Sequence, residues 1–108
     1  MLEIVNVSPY VDANGCGLQG YITTKYAELE SVLGEPSFTD EYPEEKVSCE
    51  WKIELDNGTV CTVYSWKTDG QIPYGEYKWH VGGRKKEAFD HLLEALEDAG
   101  IEVEAVRA

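Results

Sequence analysis

Basic residues are scarce in this chain. Nine lysines and arginines stand against 21 acids, for a formal charge of −12. That balance argues against direct nucleic-acid binding by phosphate neutralisation. Histidine is rarer still, with His80 and His91 alone. The three cysteines, Cys16, Cys49 and Cys61, are odd in number and widely spaced, with no Cys-x-x-Cys pair. This excludes a disulfide framework and a zinc site and fits a reducing cytosol. No apolar run approaches the ~20 residues of a membrane span, and the N-terminus has no charged segment leading into an apolar core. What remains is a soluble, cytoplasmic chain with no cofactor, no metal and no membrane contact. At 108 residues it is expected to fold as a single domain, 1–108.

The most informative stretch runs from Val47 to Trp66. Val47 to Leu55 alternates apolar and polar residues at every step, the period of a strand with one buried face. Asn57-Gly58 then matches the dipeptide of a tight I′ hairpin turn. A two-residue loop there pairs Leu55 with Val60, Ile53 with Thr62, Trp51 with Tyr64 and Cys49 with Trp66. Those side chains would share the inner face. Glu50, Lys52, Glu54, Cys61, Val63, Ser65 and Lys67 would share the outer one.

Around this hairpin (47–55 and 59–67), Met1–Val7 reads as a short strand and residues 12–17 as a loop. Gly17–Ile22 reads as a brief extended lead-in to a helix capped by Thr23 or Thr24. That helix runs to about Leu33, with Ile22, Tyr26, Leu29 and Leu33 at helical spacing and Gly34 and Pro36 ending it. Glu35–Lys46 is an acidic loop in which Phe38 and Tyr42 pin the chain to the body. Glu76–Val81 alternates as a third strand that Gly82-Gly83 breaks. A second helix spans about Arg84–Ala99, with Ala88, Phe89, Leu92, Leu93, Leu96 and Ala99 inward and Gly100 as its C-cap. Ile101–Val106 reads as a last, edge strand. The expected fold is α+β: an antiparallel sheet of about four strands built on the central hairpin, with two helices packed on one face.

Catalysis finds little support. Nothing marks a nucleophile for either histidine to activate, and Glu44 and Glu45 lie in a polar loop that would not split their pKa values. No catalytic residue is assigned, and the chain is read as a non-enzyme. The one basic cluster, Arg84-Lys85-Lys86, follows Gly82-Gly83 where a helix begins. Glycines, free backbone N–H groups and bases together describe an anion site. The same residues also make an ordinary strand-to-helix turn, and the anion could equally be a partner's carboxylate or the chain's own acidic loop. Trp51, Tyr64, Trp66, Tyr77 and Trp79 are accounted for as the packed face of the sheet. Tyr10, Tyr21, Tyr42 and Tyr74 are not all needed there, and tyrosine suits interfaces.

The run Gly17-Leu18-Gln19-Gly20-Tyr21-Ile22-Thr23-Thr24-Lys25-Tyr26-Ala27-Glu28-Leu29, with Leu33-Gly34-Glu35-Pro36, resembles a family of small, uncharacterised proteins of bacteriophages and other mobile elements. Glu50-Trp51-Lys52-Ile53, Gly58-Thr59-Val60, Val63-Tyr64-Ser65-Trp66-Lys67 and Trp79-His80-Val81-Gly82-Gly83 carry the likeness on. The N-terminal segment and Arg84-Lys85-Lys86 depart from the pattern. A looser likeness of layout links the chain to outer-membrane assembly lipoproteins and secreted β-lactamase-inhibitor proteins. The phage resemblance implies life in a host bacterial cytoplasm.

Together with the acidity, it suggests a counter-defence protein that inhibits a host effector, such as a CRISPR nuclease, by covering a basic, nucleic-acid-binding surface. Glu35, Asp40, Glu41, Glu44 and Glu45 of the loop and Asp90, Glu94 and Glu97 of the last helix would then contact that partner in place of phosphates. An alternative is a module that sequesters a nucleotide signal at Gly82, Gly83, Arg84 and Lys85, with stacking from Tyr74, Tyr77 or Trp79. Another is a structural or regulatory phage protein forming a homodimer through its last strand.

Overall fold

A computed structural model describes residues 2–39, 49–68 and 71–108. The elements are β1 (Ile4–Val7), β2 (Gly17–Lys25), α1 (Tyr26–Leu33), β3 (Phe38–Thr39), β4 (Cys49–Leu55), β5 (Val60–Tyr64), β6 (Glu76–Gly83), α2 (Glu87–Asp98) and β7 (Glu104–Arg107). The class is α+β as expected, but the sheet is larger. Its strands lie in the order β1-β4-β5-β6-β2-β7, and β3 pairs with β4 off that path. Every pairing is antiparallel. Because β5 takes one edge of β4, β1 and β3 share the other. Among the described residues, no helix is long and apolar enough to cross a membrane.

The central hairpin forms, but its register differs from the expected one by a residue. Glu54 faces Val60, Ile53 faces Cys61, Trp51 faces Val63 and Glu50 faces Tyr64. The cause lies in the turn. Gly58 has φ 84°, whereas Asn57 does not have the positive φ that a I′ turn requires of both central residues. Leu55 accepts from the Gly58 N–H at 2.9 Å and donates to the Thr59 carbonyl at 2.9 Å. Asp56, Asn57 and Gly58 therefore make a three-residue loop with glycine in the left-handed position. One extra loop residue turns the second arm over. Cys61, Val63 and Ser65 point inward with Cys49, Trp51, Ile53 and Leu55, and all seven are buried. Tyr64 and Trp66 stand on the other face.

The first helix also begins later than its spacing suggests. Thr23 and Thr24 do not cap it. They continue β2, where β-branched residues suit the pleat, and Ile22 and Thr24 are buried. Strand β2 sits between β6 and β7, with Ile22 opposite Trp79 and Ala105. Gly82 and Gly83 do not break the third strand but complete β6. They are glycines because neighbours occupy the space a side chain would need. A Cβ on Gly83 would lie 2.6 Å from the Ala88 Cβ, and one on Gly82 would overlap the Thr62 hydroxyl.

Helix α2 accordingly starts at Glu87, leaving Arg84, Lys85 and Lys86 in the connection. Its inward stripe is Ala88, Phe89, Leu92, Ala95 and Leu96, with Ala95 replacing the expected Ala99. It ends in a Schellman arrangement: Gly100, at φ 97°, donates to the Glu97 carbonyl at 3.0 Å and Ile101 donates to that of Leu96 at 3.2 Å.

Both helices cover the same side of the sheet. Leu29 and Leu33 from α1 and Phe89, Leu92, Ala95 and Leu96 from α2 join the inward residues of β2, β4, β5 and β6 in one core. Trp51 and Trp79 lie at its centre, edge to face at 5.4 Å. Their indole N–H groups donate to the Gly34 carbonyl at 2.9 Å and the Thr24 carbonyl at 3.2 Å. Cys49 and Cys61 are core residues, and burial pushes both thiols up to about 12. Among the described residues, the other side of the sheet carries no helix.

Candidate functional site

The strand registers align one transverse row on this open side. Glu50 of β4 faces Tyr64 of β5, Tyr64 faces His80 of β6, His80 faces Tyr21 of β2, and Tyr21 faces Val106 of β7. Antiparallel neighbours in such a row touch through their side chains. Tyr21 meets His80 edge to face at 5.0 Å, and Tyr64 lies tilted against it at 5.3 Å. Trp66 extends the cluster, 6.3 Å from Tyr64 and 6.1 Å from His80. Its placement is set from the inner side. The Tyr77 hydroxyl accepts from the Trp66 N–H at 3.0 Å and donates to its carbonyl at 3.3 Å, just before Lys67 turns the chain with φ 56°.

Beside the row, Thr62 faces Gly82, and Gly82 faces Leu18. The Thr62 hydroxyl fills the space above Gly82, beside the aromatic ridge. Leu18, Trp66 and Val106 are exposed large apolar residues on this side. The rim is charged: Glu54 and Lys52 on β4, Glu76 and Lys78 on β6, and Glu104 on β7. Lys78 lies over the Tyr21 ring at 4.5 Å.

Two titratable groups in the row are held away from their ordinary values. Burial is the largest influence on Glu50 and raises its carboxyl, with Lys52 partly opposing. Burial also lowers His80, and Lys78 adds to this. The His80 Nδ1 is buried without a hydrogen-bond partner. The two shifts act on stability in opposite directions. Raised Glu50 contributes stability that is complete below its unfolded value and is lost as pH rises through the folded one. Depressed His80 contributes stability that is present above pH 6.5, its ordinary value, and is lost as pH falls through the folded one. Glu50→Gln is therefore expected to raise the urea midpoint at pH 7 and to change it least near pH 4. Midpoints compared at the two pH values test this, and an advantage that does not grow with pH would refute the burial of that carboxylate.

A second feature lies where the β4–β5 turn meets the start of α2. A cleft of about 530 Å³ is lined by Asn57, Gly58, Thr59, Val60, Arg84, Lys85, Glu87, Ala88 and His91. The turn orients the histidine. The Thr59 N–H donates to Asn57 Oδ1 at 3.0 Å, which directs Asn57 Nδ2 to His91 Nδ1 at 3.4 Å. Thr59 Oγ1 lies 2.9 Å from the same nitrogen. Nδ1 is thus the ring nitrogen that meets the turn.

The expected ligand site is not assembled in one place. Gly82 and Gly83 are buried in β6, and Arg84 donates to the backbone carbonyls of Asn14 at 2.9 Å and Asp12 at 2.5 Å. Arg84 thus ties the β1–β2 loop to the end of β6. Tyr77 and Trp79 belong to the other end of that strand, roughly 20 Å from Arg84 at ~3.3 Å per residue. Trp79 is wholly buried and unable to stack on a ligand. Tyr74 is 66% exposed and packs edge to face on Tyr26 at 5.0 Å. Lys85 is charged, exposed and outside the described ion pairs, whereas Arg84, also exposed, is taken up by the β1–β2 loop.

Of the expected partner contacts, Asp40, Glu41, Glu44 and Glu45 lie outside the described residues. Glu35 is exposed just after α1. Asp90, Glu94 and Glu97 are exposed on α2 at helical spacing. Asp90 is paired with Arg107.

Sequence reasoning missed the row that His80 belongs to, because the expected hairpin register turned Tyr64 to the inner face. It also missed Asn57, Thr59 and His91, which no local pattern connects. Among the described residues, no group of three or more His, Cys, Asp and Glu side chains is placed to hold a metal ion. Comparison with known families, curated proteins and solved structures yields no match to this chain.

Proposed function

We propose that this chain is a non-catalytic binding protein of a mobile element that inhibits a host effector, such as a CRISPR nuclease, by covering a basic, nucleic-acid-binding surface. The observation that carries the reading is the sheet face on which the described residues place no helix. Aromatic residues at its centre and alternating charges at its margin reproduce the anatomy of a protein interface, where Trp and Tyr supply most of the affinity and a polar rim surrounds them. The charge of −12 selects a basic partner. Glu50 adds local force to that choice. A half-buried carboxylate is relieved by a cation brought to it, so an arginine or lysine of the partner is the complementary group.

Helix α2 adds to the reading. Glu94, Glu97 and Asp98 occupy its C-terminal half, and no basic residue lies in its last turn. Carboxylates there oppose the helix dipole by a few tenths of a kcal/mol each. Negative surface is kept at the expense of helix stability, and it raises the rate of encounter with a basic partner.

The test is capture of a partner from host lysate on the immobilised protein, released by a salt gradient. Wild type is expected to retain a basic, nucleic-acid-binding protein that elutes at moderate salt. The Tyr64→Ala/Trp66→Ala variant, checked by circular dichroism and thermal melting, is expected to bind it at least ~30-fold more weakly, which corresponds to about 2 kcal/mol. Undiminished capture by that variant would remove the sheet face from the interface. An empty eluate from wild type would remove the occlusion reading itself.

A further inference from the structure

We infer that the cleft between the β4–β5 turn and the start of α2 is a second, independent binding site, for a small phosphate-bearing anion recognised through its phosphate alone. Its lining brings together three kinds of donor. Lys85 offers an ammonium, Arg84 the guanidinium nitrogen Nη1 that is not given to Asn14 or Asp12, and His91 an imidazole whose Nδ1 meets the Asn57–Thr59 turn. The Asn57 amide, the Thr59 hydroxyl, Gly58, Val60 and Ala88 line the remainder, and Glu87 adds a carboxylate.

Charge marks the place out. The chain is strongly acidic, yet the described ion pairs are Arg84 with Asp12 and Arg107 with Asp90, and neither involves Lys85. What distinguishes the place is the run Arg84-Lys85-Lys86, three consecutive and exposed bases in an acidic chain, which makes a local positive potential in a negative field. Concave walls concentrate such a potential. A volume of about 530 Å³ lies within the range of small-ligand sites and takes a pyrophosphate or a mononucleotide.

The geometry also restricts what is read. Among the described residues no Phe, Tyr or Trp lines the cleft, and the one ring there is the His91 imidazole, held at Nδ1 by the turn. A base entering with its phosphate would find no large ring to stack on. Recognition therefore rests on the phosphate oxygens. Glu87 repels them and moderates the affinity.

The experiment is an NMR titration of the whole chain with pyrophosphate, and separately with AMP, following the imidazole signals of His91 and His80. His91 is expected to shift saturably with both ligands while His80, on the open sheet face, stays still. Lys85→Ala removes an exposed side chain and is expected to weaken binding at least five-fold with an unchanged melting temperature. Glu87→Gln is expected to tighten it. Three results would overturn the site: no saturable His91 shift up to about 10 mM ligand, an equal shift at His80, or an affinity indifferent to Lys85→Ala. AMP bound much more tightly than pyrophosphate would overturn recognition by phosphate alone. None of these outcomes depends on whether the sheet face binds a protein.

Discussion

Replacing Trp79 by alanine is expected to destabilise the protein by about 3 to 5 kcal/mol, the usual range for deleting a large buried aromatic side chain. The indole is fully buried in β6, whose neighbours β5 and β2 flank it on both sides. It meets Trp51 at 5.4 Å and Tyr77 at 5.1 Å, both edge to face. The collapse needed to fill the void would have to come from a sheet centre and two helices that are already packed. The variant also leaves the Thr24 carbonyl without the indole donor that now lies 3.2 Å away. Against a typical stability of about 5 to 15 kcal/mol, this is a large share of the whole. Urea denaturation and thermal melting measure it, with a drop in melting temperature of roughly 12 °C or more expected. Trp79→Phe keeps a ring in the site and is expected to recover more than half of the loss. A loss below about 1 kcal/mol for the alanine variant would show that Trp79 is not a central core residue.

Gly20→Val is expected to cost about 3 kcal/mol, at the upper end of what overpacking produces. Helix α2 rests on the sheet through two glycines. A Cβ on Gly20 would lie 2.6, 2.7 and 2.9 Å from three atoms of the Phe89 ring. The ring cannot retreat easily, because the Arg107 guanidinium lies over it at 5.5 Å and Phe89 itself is buried. The helix must lift, which opens the contact between Ala88 and Gly83 as well. The cause can be separated from general damage by a double-mutant cycle with Phe89→Leu. The combined variant is expected to be at least about 1 kcal/mol more stable than the sum of the single effects predicts. Simple additivity would mean that ring and glycine do not meet.

How much of this was legible in the sequence differs from element to element. The first arm of the hairpin could be read residue by residue, since Cys49, Trp51, Ile53 and Leu55 alternate with charged residues that disfavour the core. The second arm could not. Val60 to Tyr64 offers a strand former or small apolar residue at every position, so either face could serve as the inner one, and the length of the turn decided. Asn-Gly favoured a two-residue loop, but Asp56 joined it. Helix spacing misled at Ile22, which falls in phase with Tyr26 and Leu29 although it lies in β2. Gly82 and Gly83 looked like an interruption because the close approach of Ala88 and Thr62, which excludes side chains there, is a tertiary fact.

The candidate sites were less legible for the same reason. Lys85 stood out as a charge in the wrong company, and its cleft exists. Its neighbours Asn57 and Thr59 come from a hairpin turn some thirty residues earlier in the chain. The aromatic row needs five strands in register at once, and a register wrong by one residue removes Tyr64 from it. The acids of α2 could be read directly because a solvated helix face follows from periodicity alone.

The place of β2 in the sheet bears on how the chain is made. Gly17–Lys25 leaves the ribosome well before its partners β6 and β7, and 57 residues separate Ile22 from Trp79. At about 5 to 20 residues per second, that strand waits roughly 3 to 10 s before β6 has been synthesised. The β4–β5–β6 meander can assemble from neighbouring segments, while closing the long connection back to β2 carries the entropic burden. During that interval both edges of β2 are open, and the strand depends on β6 and β7 arriving before another strand does.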